Sequence, residues 1–144
     1  EEVELLASLE HRHIVKYLGT QRTTAELYVF LEYVPGGSLH SILSEFGPLE
    51  EQVIAVYIRQ VLLGLKYLHK RHIIHRDIKG ANILITNHGV AKLADFGCSK
   101  VLDGLKTPSS SMMDASYKKI KGTIPFMAPE VIRQVGHGRK ADIW

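Results

Sequence analysis

The longest regular pattern of apolar positions lies between Glu50 and His69. Its apolar residues recur at steps of three and four, as on one face of an α-helix: Ile54, Tyr57, Ile58, Val61, Leu62, Leu65 and Leu68. Acidic residues at the start of the pattern and basic residues at its end suit the two ends of a helix dipole. The pattern predicts a long helix whose apolar stripe belongs to the core.

Two shorter helices are predicted nearer the start of the chain. Glu2, Leu5, Leu6 and Leu9 have helical spacing and indicate an amphipathic helix. A second short helix is predicted from Ser38 to Glu45. It should end where Phe46-Gly47-Pro48 interrupts the pattern.

β-Branched and aromatic residues predict a hairpin between these two helices. Its strands are Ile14–Gly19 and Glu26–Tyr33, and the polar residues Gln21–Thr24 form the turn. Pro35-Gly36-Gly37 ends the second strand. Beyond the long helix, Ile83–Ile85 and Val90–Ala94 predict another hairpin.

The turn of that second hairpin would be Asn87-His88-Gly89, whose composition favours a tight reversal. Such a hairpin brings its two outer ends together. We therefore expect Asn82, just before the first strand, and Asp95, just after the second, to lie beside one another.

Composition and charge limit the class of protein. A chain of 144 residues with 45% hydrophobic and 23% charged residues suggests one globular domain at most. No apolar run is long enough to span a bilayer, and no secretion signal stands at the start. A single cysteine, Cys98, suits a reducing compartment, so we expect a cytoplasmic location. The net charge of +3 is small, and acidic and basic residues are interspersed along the chain. This pattern does not suggest nucleic-acid binding.

The residues with the clearest chemistry stand in His75–Asn82. Asp77 can accept a proton or orient a hydroxyl, and Lys79 can place a positive charge on a phosphate. Asn82 offers an amide oxygen to a hard cation such as Mg²⁺, and Asp95 adds a carboxylate. A metal-held phosphate beside a hydroxyl-activating carboxylate is the inventory of phosphoryl transfer.

These residues resemble the motifs of protein kinases. His75–Asn82 is similar to the kinase catalytic loop, and Asp95-Phe96-Gly97 is similar to the kinase magnesium-binding motif. Ala128-Pro129-Glu130 is similar to the Ala-Pro-Glu motif, the third signature of the family. All three stand in the kinase order, which argues against a chance match. The resemblance implies an α+β, two-lobed kinase fold that uses ATP and Mg²⁺.

The resemblance also implies boundaries. The chain would run from helix C to the start of helix F. Residues 1–33 would end the small lobe, 34–37 would form the hinge, and 38–144 would begin the large lobe. We expect the isolated chain to be inactive, because it lacks the glycine-rich loop. We also expect it to leave apolar surface exposed on the Ile54–Leu68 helix and around Trp144.

The resemblance assigns roles to the residues of the catalytic loop. Asp77 would accept or orient the substrate hydroxyl proton, and Lys79 would neutralise charge on the γ-phosphate. Asn82 and Asp95 would hold Mg²⁺. Thr123 would bond Asp77 and Lys79, and with Lys79 it points to serine/threonine substrates. In addition, Asp142 would accept backbone hydrogen bonds from the loop.

Further residues would bind the nucleotide or assemble the site. Glu2 would pair with a lysine on a preceding strand. The Glu32 carbonyl and the Val34 amide would bond adenine. Three more residues would surround the nucleotide: Leu31 at the back of the pocket, Ser38 near the ribose and Leu84 beneath the adenine. The packing residues Leu6, Tyr17, His75 and Phe96 would stack into a spine.

Lys100–Ile120 has no sustained period and is rich in hydroxyls, which predicts a mobile loop. It is either an ordinary surface loop or, as its bounding motifs favour, an activation loop. Arg76 would then pair with a phosphate on the loop. Ser116 is the first candidate for that phosphate and Tyr117 the second. Lys119 occupies the position that the family usually phosphorylates.

Within the family, the chain is most similar to MAP kinase kinase kinases, especially the plant-type group. The residues that carry this are Ile78–Asn82, Phe30–Ser38 and Val135-Gly136-His137. The resemblance implies a MAP kinase kinase as the protein substrate. One departure, Ile124-Pro125-Phe126 in place of the usual Pro-Tyr-Trp, leaves fine substrate preference open.

Two other functions fit the same motifs less well. A pseudokinase or docking module would bind partners without transfer, but every catalytic residue of the covered range is present. A small-molecule kinase, such as an aminoglycoside phosphotransferase, is disfavoured by Ala128-Pro129-Glu130 and by the long loop before it.

Overall fold

The computed structural model describes residues 2–101, 122–135 and 137–144. The chain divides into two compact units. The first unit comprises the residues up to Gly64 together with Lys79–Gly97, and the second comprises Leu65–Ile78 and Cys98–Trp144. Helices occur together with antiparallel strand pairs in the described residues, which confirms the α+β class. The lobe boundaries predicted from the resemblance stay a prediction.

The first unit begins with helix α1, Glu2–Ala7, followed by an antiparallel hairpin of strand β1, Tyr17–Arg22, and strand β2, Leu27–Leu31. The hairpin was predicted, but its turn was placed two residues too early. Thr23 closes the turn, because its amide donates to the Glu26 carbonyl at 2.9 Å and its Oγ1 accepts the Glu26 amide at 3.0 Å. The two residues before Thr23 therefore extend β1.

Ile14 lies outside β1, although it was predicted to begin that strand. It forms an isolated parallel bridge with Leu93 and is 1% exposed. The amide of Leu93 donates to the His13 carbonyl at 2.9 Å, and the Val15 amide donates to the Leu93 carbonyl at the same distance. This segment thus packs against the second hairpin as part of the core.

Helix α2, Leu39–Phe46, has Ser38 as its N-cap. The Ser38 Oγ accepts the Ser41 amide at 3.1 Å, and the Ser41 Oγ accepts the Ser38 amide at 2.9 Å. This reciprocal capping satisfies amide groups that the helix itself cannot pair. The predicted short helix is confirmed, with Gly47 just beyond its end.

Helix α3 runs from Glu51 to Lys70, close to its predicted bounds. Its stripe is only partly core: Val61, Leu65 and Leu68 are buried, whereas other members are largely exposed, namely Ile54 at 44%, Ile58 at 50% and Leu62 at 46%. The prediction that the whole stripe is core is therefore wrong for these three. The expected exposed apolar surface on this helix and at Trp144, which is 72% exposed, is confirmed.

The second predicted hairpin is confirmed within the first unit. Strands β4, Ile83–Ile85, and β5, Ala91–Leu93, pair antiparallel. Gly89 has a φ of +71° in the turn, a conformation that favours glycine. Thr86 Oγ1 accepts the Val90 amide at 3.1 Å and closes the turn.

The second unit holds strands that the sequence did not reveal. Strand β3, Ile73–Ile74, pairs antiparallel with strand β6, Lys100–Val101. Lys100 and Val101 were assigned to a loop, which is wrong for these two residues, because a two-residue strand leaves no periodic pattern. Residues 102–120, the rest of that predicted loop, lie outside the described residues.

Short helical turns complete the described residues. Helix α4 spans Pro129–Ile132 and begins with proline, whose missing amide is not needed at that position. Single 3₁₀ turns occur at Gly80–Asn82, Ile124–Phe126 and Arg139–Asp142. Among the described helices, none has both the length and the apolar character that crossing a membrane requires.

Candidate active site

Asp77 lies in a tightly packed loop of the second unit. The residue is 5% exposed, and its Oδ1 accepts the backbone amide of Thr123 at 2.9 Å. Gly122, the residue before Thr123, has a φ of +116°. A Cβ at this position would lie 2.6 Å from the Arg76 carbonyl oxygen. Any larger residue would push the Thr123 amide away from Asp77. The structure thus pairs Asp77 with Thr123, while the predicted bond from Thr123 to Lys79 stays a prediction.

The carboxylate of Asp142 fixes the backbone just before Asp77. Its Oδ1 accepts the Arg76 amide at 2.8 Å, and its Oδ2 accepts the His75 amide at 3.0 Å. These contacts confirm the predicted role of Asp142. No sequence pattern indicated His69, whose Nε2 lies 2.7 Å from Oδ2 of the same carboxylate. Asp142 is 5% exposed, so its charge is stabilised by these contacts rather than by water.

Arg76 has a φ of +68°, an unusual conformation for a residue with a side chain. Its guanidinium donates to the backbone carbonyls of Cys98 and Ser99 in the second unit. Burial lowers the pKa of His137, and the positive charges of Arg76 and Lys100 lower it further, against the opposing effect of Glu130 and Asp142. Arg76 and Lys100 thus both act as positive charges on His137, which suits the predicted role of Arg76 as a phosphate partner. The candidate phosphosites Ser116 and Tyr117, with Lys119, lie outside the described residues.

Asn82 and Asp95 stand at neighbouring strand ends in the first unit, as predicted. Asn82 directly precedes β4, and its carbonyl accepts the amide of Ala94, the residue before Asp95, at 2.9 Å. Asn82 is 6% exposed. The Asn82 amide donates to the carbonyl of Lys79 at 2.9 Å, which closes the turn between them.

Asn82 and Asp95 carry the types of oxygen that a magnesium ion prefers. Asp95 is exposed and has a φ of +60°, and its Oδ1 accepts the Gly97 amide at 3.3 Å. Within the described residues no cluster of three or more His, Cys, Asp or Glu side chains could hold a metal ion. Magnesium does not need one, since one or two carboxylates with phosphate oxygens and water complete its shell.

The predicted hinge lies at the end of β2 in the first unit. Val34 is 7% exposed, and in the described part of the chain neither its amide nor the Glu32 carbonyl makes a hydrogen bond. A buried residue with an unpaired amide is uncommon unless a ligand or water completes it. A Cβ at Gly36 would lie 2.3 Å from the Ile85 carbonyl oxygen, so the chain here passes directly against β4.

Ser38 and Leu84 form an isolated bridge, so the residues predicted near the ribose and beneath the adenine are brought together. The Ser38 hydroxyl takes part in capping α2, and its ribose contact stays a prediction. The side chain of Glu2 lies outside the description. Its predicted pairing with a lysine therefore also stays a prediction.

An apolar cavity of about 270 Å³ lies within the first unit beside Leu31. Its lining residues are Val3, Leu6, Val15, Leu27, Val29, Leu31, Ala94, Asp95 and Phe96. Leu6 and Phe96, two members of the predicted spine, thus face one space. Tyr17 is not in this lining, and its hydroxyl donates to Thr20 Oγ1 at 3.1 Å. The complete spine stays a prediction.

A second contact that the sequence did not indicate joins Glu32, the residue after β2, to β5. Lys92 Nζ lies 2.9 Å from Glu32 Oε2. The two residues are 60 positions apart, so no local pattern indicates the pair. The only signal was the alternation of β5, which placed Lys92 between the buried residues Ala91 and Leu93.

Comparison with known proteins identifies the class. The family model described as protein kinase domain matches residues 1–144, and the chain belongs to that family. It is 53% identical over 144 residues to mitogen-activated protein kinase kinase kinase A of Dictyostelium discoideum, covering 100% of this chain and 14% of the relative. It is 55% identical over 144 residues to mitogen-activated protein kinase kinase kinase ANP1 of Arabidopsis thaliana, covering 100% and 21%.

A fungal relative is more distant but covers nearly the same range. The chain is 47% identical over 143 residues to serine/threonine-protein kinase STE11 of Saccharomyces cerevisiae, covering 99% of this chain and 19% of the relative. The chain therefore spans between 14% and 21% of the length of these three curated relatives.

Proposed function

We propose that the full-length protein is an ATP- and Mg²⁺-dependent serine/threonine protein kinase of the MAP kinase kinase kinase type. Its protein substrate is a MAP kinase kinase. The observation that carries the proposal is the hydrogen bond from the Ala94 amide to the Asn82 carbonyl, at 2.9 Å. It brings two oxygen-bearing residues, Asn82 and Asp95, to neighbouring strand ends, which suits a site for Mg²⁺ with a nucleotide.

The reaction transfers the γ-phosphoryl group of ATP to a substrate hydroxyl. The bond to the β-phosphate oxygen breaks, a bond to the hydroxyl oxygen forms, and ADP leaves. Asp77 orients the hydroxyl and takes its proton. The amide of Thr123 donates to one oxygen of Asp77 and so restrains the carboxylate. Lys79 lowers the charge on the γ-phosphate.

Asn82 and Asp95 would hold Mg²⁺, which when bound would neutralise charge on the phosphates of ATP. The Glu32 carbonyl and the Val34 amide bind the adenine, a role supported by the absence of other hydrogen bonds to these two groups in the described residues. Leu84 and Leu31 contribute apolar surface beneath and behind the base.

The names of the relatives support the substrate class. Two of the relatives compared above are mitogen-activated protein kinase kinase kinases by name, and they match over the whole of this chain. A kinase of that type phosphorylates a MAP kinase kinase. We extend this activity to the present protein, together with a cytoplasmic location.

Two substitutions separate the proposed roles in the full-length protein. Asp77→Asn should abolish phosphate transfer to a MAP kinase kinase and largely spare ATP binding. Asp95→Asn should weaken Mg²⁺-dependent ATP binding, because the amide carries no charge. Asn82→Ala should act like Asp95→Asn, and Asn87→Ala, in the exposed turn of the second hairpin, is its matched control.

Phosphate transfer is measured with γ-labelled ATP, and binding by calorimetry with and without Mg²⁺. Transfer at wild-type rates by both aspartate variants would exclude this mechanism. A wild-type protein that binds ATP but transfers no phosphate to any protein would instead indicate a pseudokinase.

A further inference from the structure

Both the side chain and the amide of Glu32 are held within the first unit. Its Oε2 accepts hydrogen bonds from Lys92 Nζ at 2.9 Å and from the backbone amide of Lys16 at 3.0 Å. The amide of Glu32 donates to the Lys16 carbonyl at 2.8 Å. The Glu32 carbonyl is therefore the backbone group of this residue that remains for a ligand.

The pair of Glu32 and Lys92 differs from an ordinary surface ion pair. The side chain of Lys92 is only 13% exposed and that of Glu32 is 29% exposed. Burial alone would raise the pKa of Glu32, yet the hydrogen bonds from Lys92 and the Lys16 amide together hold that pKa below its ordinary value. Exposed pairs contribute little, whereas removing one partner of a shielded pair leaves the other charge poorly solvated.

Lys92 also lies next to other residues of the proposed nucleotide site. It stands opposite Leu84 in the pairing of β4 with β5. Directly opposed residues of an antiparallel pair project from the same face of the sheet. Lys92 is also three positions before Asp95 in the sequence. The Lys92 side chain thus connects Glu32, two residues before the predicted hinge, to the strand that leads into the proposed metal ligand.

We propose that Lys92 is a positioning residue for nucleotide binding: by holding the Glu32 carboxylate it fixes the backbone of residues 32–34 that receives the adenine. This inference rests on the proposed function, because it takes this backbone to be the adenine site. Lys92 touches neither the base nor the phosphates in this role. It acts through Glu32 alone.

Such positioning should affect the choice of base. Adenine presents an amino donor and a ring-nitrogen acceptor, which match a carbonyl followed by an amide. Guanine presents a carbonyl oxygen where adenine presents the amino group, so its acceptor would face the Glu32 carbonyl. A hinge held in one conformation discriminates between them, and a released hinge discriminates less.

The test compares substitutions at both ends of the pair in the full-length kinase. Lys92→Met removes the charge and keeps the length, and Glu32→Gln weakens the contact without changing the backbone. Each substitution should raise the KM for ATP by about tenfold, which is within the range of interaction energies between contacting residues. The kcat should change by less than about twofold. The preference for ATP over GTP in competition binding should fall by a similar factor.

Rescue and control variants separate positioning from simple stabilisation. Lys92→Arg keeps the charge and should retain near-wild-type KM. The exchange of charges, Glu32→Lys with Lys92→Glu, should recover part of the loss seen in either single variant. Lys66→Met, at an exposed position of α3, is the matched control and should leave KM and base preference unchanged.

Each outcome decides the inference. An unchanged KM and an unchanged ATP preference in Lys92→Met would overturn it. So would a lower melting temperature without any change in base preference, because a purely structural pair predicts that result. If Lys92→Met fails to fold, Glu32→Gln provides the same measurements. A wild-type protein that does not bind ATP would instead contradict the proposed function itself.

Discussion

The amide of Arg76 donates to Oδ1 of Asp142 at 2.8 Å, although 66 positions separate the two residues in the chain. The other oxygen of the carboxylate accepts from the His75 amide and lies against His69 Nε2. A buried acceptor thus sets the backbone directly before Asp77. The geometry of the proposed catalytic residue depends on a residue that touches no substrate.

Asp142→Asn should therefore lower both stability and activity. Asparagine offers one acceptor oxygen and turns an amino group toward a donor, so at least one of the three contacts is lost. Hydrogen bonds to charged groups contribute about 1.5–3 kcal/mol, and we expect a loss of about 2 kcal/mol in the free energy of unfolding. Displacement of Asp77 should reduce kcat roughly 10- to 100-fold. Urea unfolding and steady-state kinetics of the full-length protein measure these two effects.

Glu45→Gln is the control, because it makes the equivalent change at an exposed position of α2. It should alter neither quantity. Full activity in Asp142→Asn would show that the loop holds its conformation without this carboxylate.

Gly36→Ala should disturb the proposed hinge by steric contact alone. A Cβ at this position would lie 2.3 Å from the Ile85 carbonyl oxygen and 3.3 Å from that of Thr86, and backbone atoms cannot yield as a flexible side chain would. We expect a loss of about 1–3 kcal/mol in stability and weaker ATP binding. Gly19→Ala provides the comparison, since no atom lies within 4 Å of its added methyl group. Equal ATP affinity in the two variants would argue against the hinge assignment.

The sequence predicted those parts of the fold that depend on neighbouring residues. The apolar spacing of α3 and the Asn87-His88-Gly89 turn indicated a helix and a hairpin, and both occur. The pairing of β3 with β6 was not predictable, because two residues per strand establish no period. The exposure of Ile54 was expected only through the family resemblance, since the same spacing serves a core face and an uncovered one.

The same distinction holds for the candidate site. Asn82 and Asp95 were expected together because a hairpin necessarily joins its outer ends. Long-range side-chain pairs have no such local signal: Lys92 reaches Glu32 across 60 positions and His69 reaches Asp142 across 73. The contact of Asp142 with the loop was predicted only through the family resemblance.

His137 should make stability sensitive to mild acid. Burial and the nearby charges of Arg76 and Lys100 lower its pKa below the ordinary value of 6.5. As the pH falls below the ordinary histidine pKa, His137 takes up a proton in the unfolded chain before it does so in the folded protein. Acidification therefore favours unfolding. The loss should begin near the ordinary histidine pKa and continue down through the lowered one. It should be absent above the ordinary pKa.

The measurement is urea unfolding of the wild type and of His137→Gln at about pH 7.5 and about pH 5.5. The variant cannot be protonated there, so it should lose less stability than the wild type between these values. His88→Gln, in an exposed turn, should lose as much as the wild type. An NMR titration that places the His137 pKa at or above its ordinary value would contradict the assignment.

The last prediction concerns activation of the proposed kinase. We expect phosphorylation of Ser116, or secondarily Tyr117, to raise kinase activity. A phosphate adds up to two negative charges and three acceptor oxygens, which suits the guanidinium of Arg76 and the cation Lys100 beside His137. Binding should replace the contacts of Arg76 with the carbonyls of Cys98 and Ser99, since a charged acceptor competes well with neutral ones. Phosphate there should also raise the pKa of His137.

Lys119 argues against this prediction. It stands where the family usually carries the phosphate, and its positive charge would repel Arg76 rather than hold it. The decisive comparison incubates the full-length kinase with ATP and assays Ser116→Ala, Tyr117→Phe and the double variant beside the wild type. Loss of activation in the double variant, with phosphate mapped to Ser116 in the wild type, is the expected result. Full activity in the double variant, with no phosphate on residues 107–117 of the wild type, would mean that another part of the protein controls activity.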